Sequence, residues 1–254
     1  MAQPAAVRND VTVADGTEAA PGFTYSGEEL DALGEARNYY GWIADRFAPY
    51  LGPRIVEVGA GIGTFTAHLL ERRADARVTA IEPAENNYPR LARRFAADSR
   101  VTPVHGYFDG AVPAGSADAV VAVNVMEHVD DDAGFLRAGF EAAAPGGHVL
   151  LFVPALPALF GSLDEAFEHC RRYTRQELDQ KLRAAGFAPV RVEYMNFPGM
   201  LAWWLWAKVL RRRTITDRDA RVYDRWVVPL VRAVETRVRP PIGNGLLAIA
   251  RKNP

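Results

Sequence analysis

Glycines stand at every second position, Gly59, Gly61 and Gly63, directly after the run Ile55-Val56-Glu57-Val58, and residues able to start a helix follow from Thr64. That order predicts a strand, a tight turn and a helix N-terminus. Glycine removes Cβ where backbone must pass close to a ligand or take positive φ, and the next helix aims its unpaired N–H groups at the same spot, so the stretch suits a nucleotide. Glu57 narrows the choice of ligand. A dinucleotide pyrophosphate would be repelled by a carboxylate at the strand end, and its fingerprint spaces the glycines G-x-G-x-x-G, whereas the carboxylate suits an ammonium group. The structural alternative is a plain buried strand followed by a flexible turn.

Other residues of chemical interest fall at the ends of further elements. Arg77 to Glu82 reads as a second strand, with Pro83 next. The strand ends of a parallel sheet line one crevice, which places Glu82 beside the glycine loop, where a carboxylate can accept both hydroxyls of a ribose. Ala117 to Asn124 is an almost continuous apolar run, as expected of a central strand buried on both faces, and its end opens on the same crevice. Val125-Met126-Glu127-His128-Val129 follows. An imidazole with an ordinary pKa can take a proton from an attacking hydroxyl or amine at neutral pH, which makes His128 a general-base candidate. A ring tied to backbone is the equal alternative. The stretch 155–173 is too long and too apolar for a bare connection, and long excursions at the rim of an α/β sheet form substrate walls. His169, Arg172 and Tyr173 are therefore candidates for substrate contact or proton transfer, unless Asp164 or Glu165 simply pairs with the arginines.

The string Glu57-x-Gly59-x-Gly61-x-Gly63 resembles the first motif of the class I S-adenosylmethionine-dependent methyltransferases. The Glu127-His128 pair after the fourth strand and the Pro145-Gly146-Gly147 turn are similar to later motifs of that family. The run from Asp164-Glu165 through His169 to Arg171-Arg172-Tyr173-Thr174 resembles a subset of its bacterial members. The resemblance implies transfer of a methyl group from S-adenosylmethionine to an O, N or C nucleophile of a small, natural-product-like, hydrophobic or lipid-linked molecule. It implies that Glu57, Gly59, Ala60, Gly61 and Gly63 face the methionine amino group and the adenosine edge, with Glu82, Pro83, Asn124 and Val125 at the same cofactor. Tyr40 is then part of a cap over the site. Tyr107 departs from the pattern, standing where an acid for the adenine amino group is common, so either Asp109 or the backbone of Tyr107 and Phe108 takes that place. Asp164, His169 and Tyr173 join His128 as catalytic candidates, and Glu127, Arg172, Phe197 and Trp203 as substrate contacts. No metal is expected, because an electrophilic sulfonium attacked by a well-placed nucleophile needs chiefly positioning, worth about 7–11 kcal/mol.

The elements that position these residues form an α/β fold with a seven-stranded, mostly parallel, doubly wound sheet. Residues 1–22 read as a mobile tail, 23–52 as a helical cap whose helix begins at Ser26 or Glu28, 53–195 as the cofactor-binding core, 196–244 as a helical insertion and 245–254 as the final strand. Thr174-Arg175-Gln176-Glu177 has the form of a capping box for a helix to Ala185. In the insertion, about fourteen apolar residues from Phe197 to Leu210 are too few for a membrane span, which needs roughly twenty. Trp203, Trp204 and Trp206 beside Arg211-Arg212-Arg213 leave a peripheral membrane contact through 197–213 open. A lid or homodimer surface, or a hydrophobic substrate channel, is compatible with the same pattern.

Composition sets the outer bounds. With 254 residues, 49% of them hydrophobic, and a formal net charge of −1, the chain can bury a sizeable core and carries no global basicity toward nucleic acid. Cys170 is the single cysteine, and Met1 to Asp10 lacks the charged and apolar regions of a secretory leader, so a cytoplasmic location is expected. Two other classes stay open at this level: an NAD(P)-dependent oxidoreductase on the same sheet, and a non-catalytic protein of the same fold that assembles with another subunit.

Overall fold

The computed structural model describes residues 23–25 and 36–254. The expected tail 1–22 and the expected helix onset at Ser26 or Glu28 lie outside the described residues. Helix α1, Arg37–Phe47, buries Tyr40, Ile43, Ala44 and Phe47, the one-face spacing of an amphipathic helix. Strand β1, Arg54–Val58, helix α2, Thr64–Arg72, strand β2, Arg77–Glu82, helix α3, Tyr88–Arg94, and strand β3, Val101–His105, follow. Strand β4 is Ala117–Val123, helix α4 Asp132–Ala142 and strand β5 Ala143–Pro154. The seven-stranded sheet has the order β3-β2-β1-β4-β5-β7-β6, with β6 at Ala188–Met195 and β7 at Gly245–Arg251. Strands β1 to β5 run parallel, and β7 is antiparallel to both β5 and β6. This is the doubly wound sheet that the patterning predicts.

The alternation of side chains across the central strands builds two cores. Val121, Leu150 and Ile249 face α1 and α2 with Ile43, Phe47 and Leu69. Val120, Leu151 and Ala248 face the other way, onto Leu136 of α4 and Leu178 and Leu182 of helix α6, Arg175–Ala184. Each fully buried Leu or Ile contributes about 1.5–3 kcal/mol, so both faces hold the sheet firmly. The cap expected from the sequence is present, with Thr174 accepting the N–H of Glu177 at the start of α6, and at the start of α4 Asp131 accepts that of Gly134. Pro145-Gly146-Gly147 differs. It does not precede β5 as a turn but lies inside it, where the register shifts between Ala117 and Ala119 of β4. A Cβ on Gly147 would lie 3.0 Å from the Ala117 carbonyl oxygen, which explains why the bulged strand needs glycine there.

Between β5 and β6 the chain makes an excursion that closes on itself. Tyr173 donates its N–H to Pro154 and accepts that of Leu156, which forms a parallel bridge of Ala155 with Tyr173. Within it, helix α5, Ser162–Ala166, rests on a small separate core of Leu163, Phe167 and Ala207. Between β6 and β7 lie two helical arms. The first is α7, Phe197–Trp203, continued by a π-helical stretch Trp204–Val209. The second is α8, Asp217–Val222, a π-helical stretch Tyr223–Val227, and α9, Val228–Glu235. The buried Asp224 ties the second arm to the first turn of α1 by accepting the N–H groups of Asn38 and Tyr39. Among the described residues no helix is long and apolar enough to cross a membrane.

Gly245 starts β7 against the ring of Phe152, 2.1 Å from where a Cβ would stand. Gly245→Ala is therefore expected to cost about 1–3 kcal/mol through overpacking, read as a lower urea midpoint at unchanged slope.

Candidate active site

The glycine loop follows β1 with Gly59, Gly61 and Gly63 at φ values of 68°, 56° and 79°, a region that other residues enter only with strain. Space forbids side chains as well. A Cβ on Gly59 would fall 2.5 Å from Val125, and one on Gly63 2.5 Å from Phe95. Ala60 is bound by its N–H to the Ile81 carbonyl, which lays the loop across the end of β2. Glu82, at that end, accepts the N–H of Gly61 at 2.7 Å and of Ala84 at 3.0 Å. One buried carboxylate thus ties the loop of the first strand to the exit of the second, across Pro83.

Glu57 is also buried, and Thr66 in the first turn of α2 donates its hydroxyl to it at 2.6 Å. Burial pushes the Glu57 carboxyl up to about 8, against the pull of that hydrogen bond. A cavity of about 50 Å³ runs along this carboxyl, lined by Tyr40, Gly59, Ala60, Gly61, Phe65 and Val123. A larger cleft of about 270 Å³, around Arg175, Asp179 and Arg191, lies at the β6 edge, away from these groups. The smaller cavity joins the Glu57 carboxyl, an acceptor suited to an ammonium, to the glycine cradle, and Glu82 holds Gly61 of that cradle from behind. The residues fit S-adenosylmethionine.

At the end of β4 the backbone turns sharply. Asn124 has φ 54°, and its N–H bonds the Phe152 carbonyl. Val125 packs on Gly59, and a single 3-10 turn, Met126–His128, presents Glu127 and His128. The excursion folds back here, with the Cys170 N–H bonded to the Glu127 carbonyl. His169 is thereby placed with Nε2 4.0 Å from Glu127 and its ring edge-on to His128 at 4.9 Å between centroids. On its far side Nδ1 lies 2.9 Å from Asp164, a carboxylate that can only accept, so Nδ1 carries the proton and Nε2 the lone pair. By the same reasoning His128 carries its proton on Nδ1, which faces the Glu168 carbonyl at 3.3 Å. Tyr25 lies edge-on over His128.

Glu127 is fully buried, and neither of its carboxyl oxygens has a hydrogen-bond partner. Burial pushes it up to about 7, moderated by His169. His128 moves the other way, well below the usual imidazole range, because burial and the neighbouring His169 both oppose its charge. Glu127, His128 and His169 each offer one ligand atom, all within 4.8 Å of one another. Among the described residues these three are the groups that could hold a cation, although none is expected from the sequence.

The sequence candidates thus separate into two clusters and a remainder. Glu57, Gly59, Ala60, Gly61, Gly63, Glu82, Tyr40 and Val125 surround the cradle, with Pro83 and Asn124 at its rims. Glu127, His128, His169, Asp164, Arg172 and Trp203 form the second group: Arg172 donates to Asp164 at 2.7 Å, stacks on Trp203 at 4.5 Å, and keeps one buried nitrogen without a partner. Tyr173 stands apart. It is completely buried, with its hydroxyl between the Met126 carbonyl and Asp132, so it is placed as a strut and not at an open site. Phe108 is buried in the second core, Tyr107 and Asp109 are exposed, and Phe197 lies on the outer arm with its N–H on Glu235. Thr66 and Tyr25 were missed. A hydroxyl in the first turn after the glycine loop was a readable signal for Thr66; nothing local marks Tyr25.

The sheet order, the glycine cradle and paired acids at adjoining strand ends define a class I methyltransferase-type fold. The chain belongs to the methyltransferase-domain family, whose model matches residues 27–192. A ubiquinone biosynthesis O-methyltransferase of Methylocella silvestris is 40% identical over 120 residues, 44% of this chain and 44% of that protein. The match thus spans under half of that relative's length. In fold, the chain resembles a Haemonchus contortus phosphoethanolamine N-methyltransferase 2 bound to phosphomonomethylethanolamine and S-adenosylhomocysteine, with TM-score 0.64, 18% identity, and coverage of 91% of this chain and 58% of that one. A Thermotoga maritima S-adenosylmethionine-dependent methyltransferase gives 0.62 and 17%, covering 89% of this chain and 95% of that one. S-adenosylmethionine is accordingly the cofactor, and the dinucleotide alternative is set aside.

The raised carboxyls make stability depend on pH in a stated direction. Glu57, near 8 folded against about 4.3 unfolded, holds its proton more tightly in the native state, so its contribution is complete below about pH 4 and is lost as pH rises through 8. Denaturation of the cofactor-free protein should show stability falling between about pH 5 and 8, by at most about 1.4 kcal/mol per pH unit for each such proton. Glu57→Gln should flatten that slope.

Proposed function

We propose that the chain transfers the methyl group of S-adenosylmethionine to a hydroxyl oxygen of a small hydrophobic or lipid-linked molecule. The observation that carries the reading is the meeting of the two clusters at the end of β4, where Val125 touches the glycine loop and Glu127 and His128 follow within three residues. The named O-methylation of the Methylocella silvestris relative supports oxygen as the acceptor atom. Residues 53–195 and 245–254 then act as the cofactor-holding core, and 196–244 as a wall of the acceptor site.

Bound S-adenosylmethionine supplies an electrophilic methyl on a sulfonium and departs as the thioether. The protein's own part is to bind, orient and take a proton. Glu57, which gives up its proton once an ammonium stands beside it, would meet the amino group of the methionine end, the glycine cradle and Glu82 would receive the nucleoside end, and Tyr40 would close over both. As the acceptor oxygen bonds the methyl carbon, its proton passes to Nε2 of His169, within reach of Glu127, and the imidazolium is held by Asp164 through Nδ1. His128 is a poor proton acceptor in its desolvated place and acts as a wall that orients the hydroxyl. Tyr173 has no part in the proton transfer, and Arg172 fixes Asp164.

Calorimetry and turnover separate these roles. Glu57→Ala should abolish measurable S-adenosylmethionine binding while the circular dichroism spectrum persists; undiminished affinity would refute its assignment. At saturating cofactor, His169→Ala should lower kcat by about 10²–10⁴-fold and His128→Ala by clearly less. A chelator should leave turnover unchanged. Loss of turnover on chelation, restored by a divalent cation, would transfer the role of Glu127, His128 and His169 to metal binding.

A further inference from the structure

The apolar surface of this protein is concentrated in one place. Among the described residues, twelve of the fourteen exposed large hydrophobic side chains lie between Phe197 and Ile242. The second arm presents Val222, Trp226, Leu230, Val234 and Val238 at four-residue spacing, and these are 52–71% exposed. Its opposite face, with Ala220, Asp224, Val228, Val231 and Glu235, is buried on the domain. The arm is therefore a docked amphipathic helix whose second apolar stripe faces outward. The first arm adds Leu201, Trp204, Leu205 and Val209.

Charge identifies what covers it. Residues 197–242 hold ten Lys and Arg against four Asp and Glu, in a chain whose net charge is −1. Two of the four acids are spent internally: Asp224 on the backbone of α1, and Glu235 on the N–H groups of Asn196 and Phe197. Among the described residues Lys208, Arg211, Arg218, Arg221 and Arg225 have no carboxylate partner, and all five are exposed. A second copy would press this surface on itself, cation against cation, since a two-fold interface is isologous. An anionic bilayer satisfies both features at once, because the apolar stripe enters the acyl boundary while arginines reach the phosphates. Neither arm is both long and apolar enough to span.

We propose that the two arms between β6 and β7 dock in the plane of an anionic lipid membrane, so that the acceptor is taken from the bilayer. The part concerning the acceptor rests on the methyl-transfer reading above; the docking does not. The arms are joined to the acceptor site by Trp203, which donates to Asp164 at 3.2 Å and stacks on Arg172, and by Ser162, whose hydroxyl bonds the Ala207 carbonyl at 3.0 Å. Asp164 is the residue that orients His169. The membrane-facing surface and the proton-accepting imidazole are thus two ends of one contact chain.

The test is co-sedimentation of the whole chain with phosphatidylcholine vesicles, with and without about one-third phosphatidylglycerol, at low and high salt. Binding at least about tenfold stronger to the anionic vesicles, weakened by salt, is expected. The double variant Leu230→Glu, Val234→Glu should lose that binding by about the same factor while keeping wild-type affinity for S-adenosylmethionine, since both side chains point away from the fold. Equal or absent binding to the two vesicle types would overturn the proposal. So would a concentration-dependent dimer in sedimentation velocity that the double variant abolishes, because the surface would then belong to a second copy. Vesicle binding without any cofactor binding would leave the docking intact and overturn only the methyl-transfer reading.

Discussion

The bond from the Glu82 carboxylate to the Gly61 N–H, at 2.7 Å, is the constraint on which the rest of the site depends. Its second oxygen holds the Ala84 N–H, so a single buried side chain sets the distance between the glycine loop and the exit of β2. The loop in turn touches Val125, which fixes where β4 delivers Glu127 and His128. A backbone path through three positive-φ glycines has little stiffness of its own, and charge-assisted hydrogen bonds of this kind are about twice as strong as neutral ones. Burial raises the pKa of Glu82, and the two N–H groups oppose that rise. The carboxylate thus keeps the cradle in shape from the end of β2, and any shift of Glu82 is passed to the loop through Gly61.

Much of this was legible in the chain because parallel strands announce themselves. Ala117–Val123 is apolar on both faces, and the acids Glu57 and Glu82 sit where strand ends must share a crevice. The cap of α6 depends only on a neighbour three residues away and was equally readable. Glu127 was not. Its complete burial is produced by the fold-back of the excursion, through the Cys170 N–H and the ring of His169, some forty residues later in the chain. The strut position of Tyr173 was not legible for the related reason that it is defined by Asp132 and the bridge to Ala155, both long-range. The bulge in β5 was misplaced because Pro-Gly-Gly encodes irregular backbone without saying whether the irregularity falls before a strand or within it.

The two helical arms obey a different logic from the sheet. Both pass through π-helical stretches, Trp204–Val209 and Tyr223–Val227, where the wider turn re-aims successive side chains. In the second arm the change follows directly on the last α-helical turn and precedes Pro229, whose missing N–H is tolerated in the first turn of α9. The result is that Asp224 reaches inward to α1 while Trp226, two positions on, stands outside. A regular helix would also separate those two residues, but the wider turn lets the buried row Ala220, Asp224, Val228 continue across the junction without a break.

The buried cluster at the end of β4 explains why such a site can be stable before anything binds. An ionised carboxylate without partners in an apolar interior would cost several kcal/mol, and removing one member of a buried pair is commonly more damaging than never having had it. Glu127 avoids that cost by holding its proton to about pH 7, and His128 avoids it by shedding its own. Asp164 stays ionised beneath His169, its pKa held below the usual range by His169 and Arg172 against the effect of burial. The His169 imidazole accordingly lies between two carboxyl groups, Glu127 at 4.0 Å from Nε2 and Asp164 at 2.9 Å from Nδ1. Desolvation acts on one side of the ring and an ion pair on the other, which makes the two faces of the imidazole electrostatically unlike.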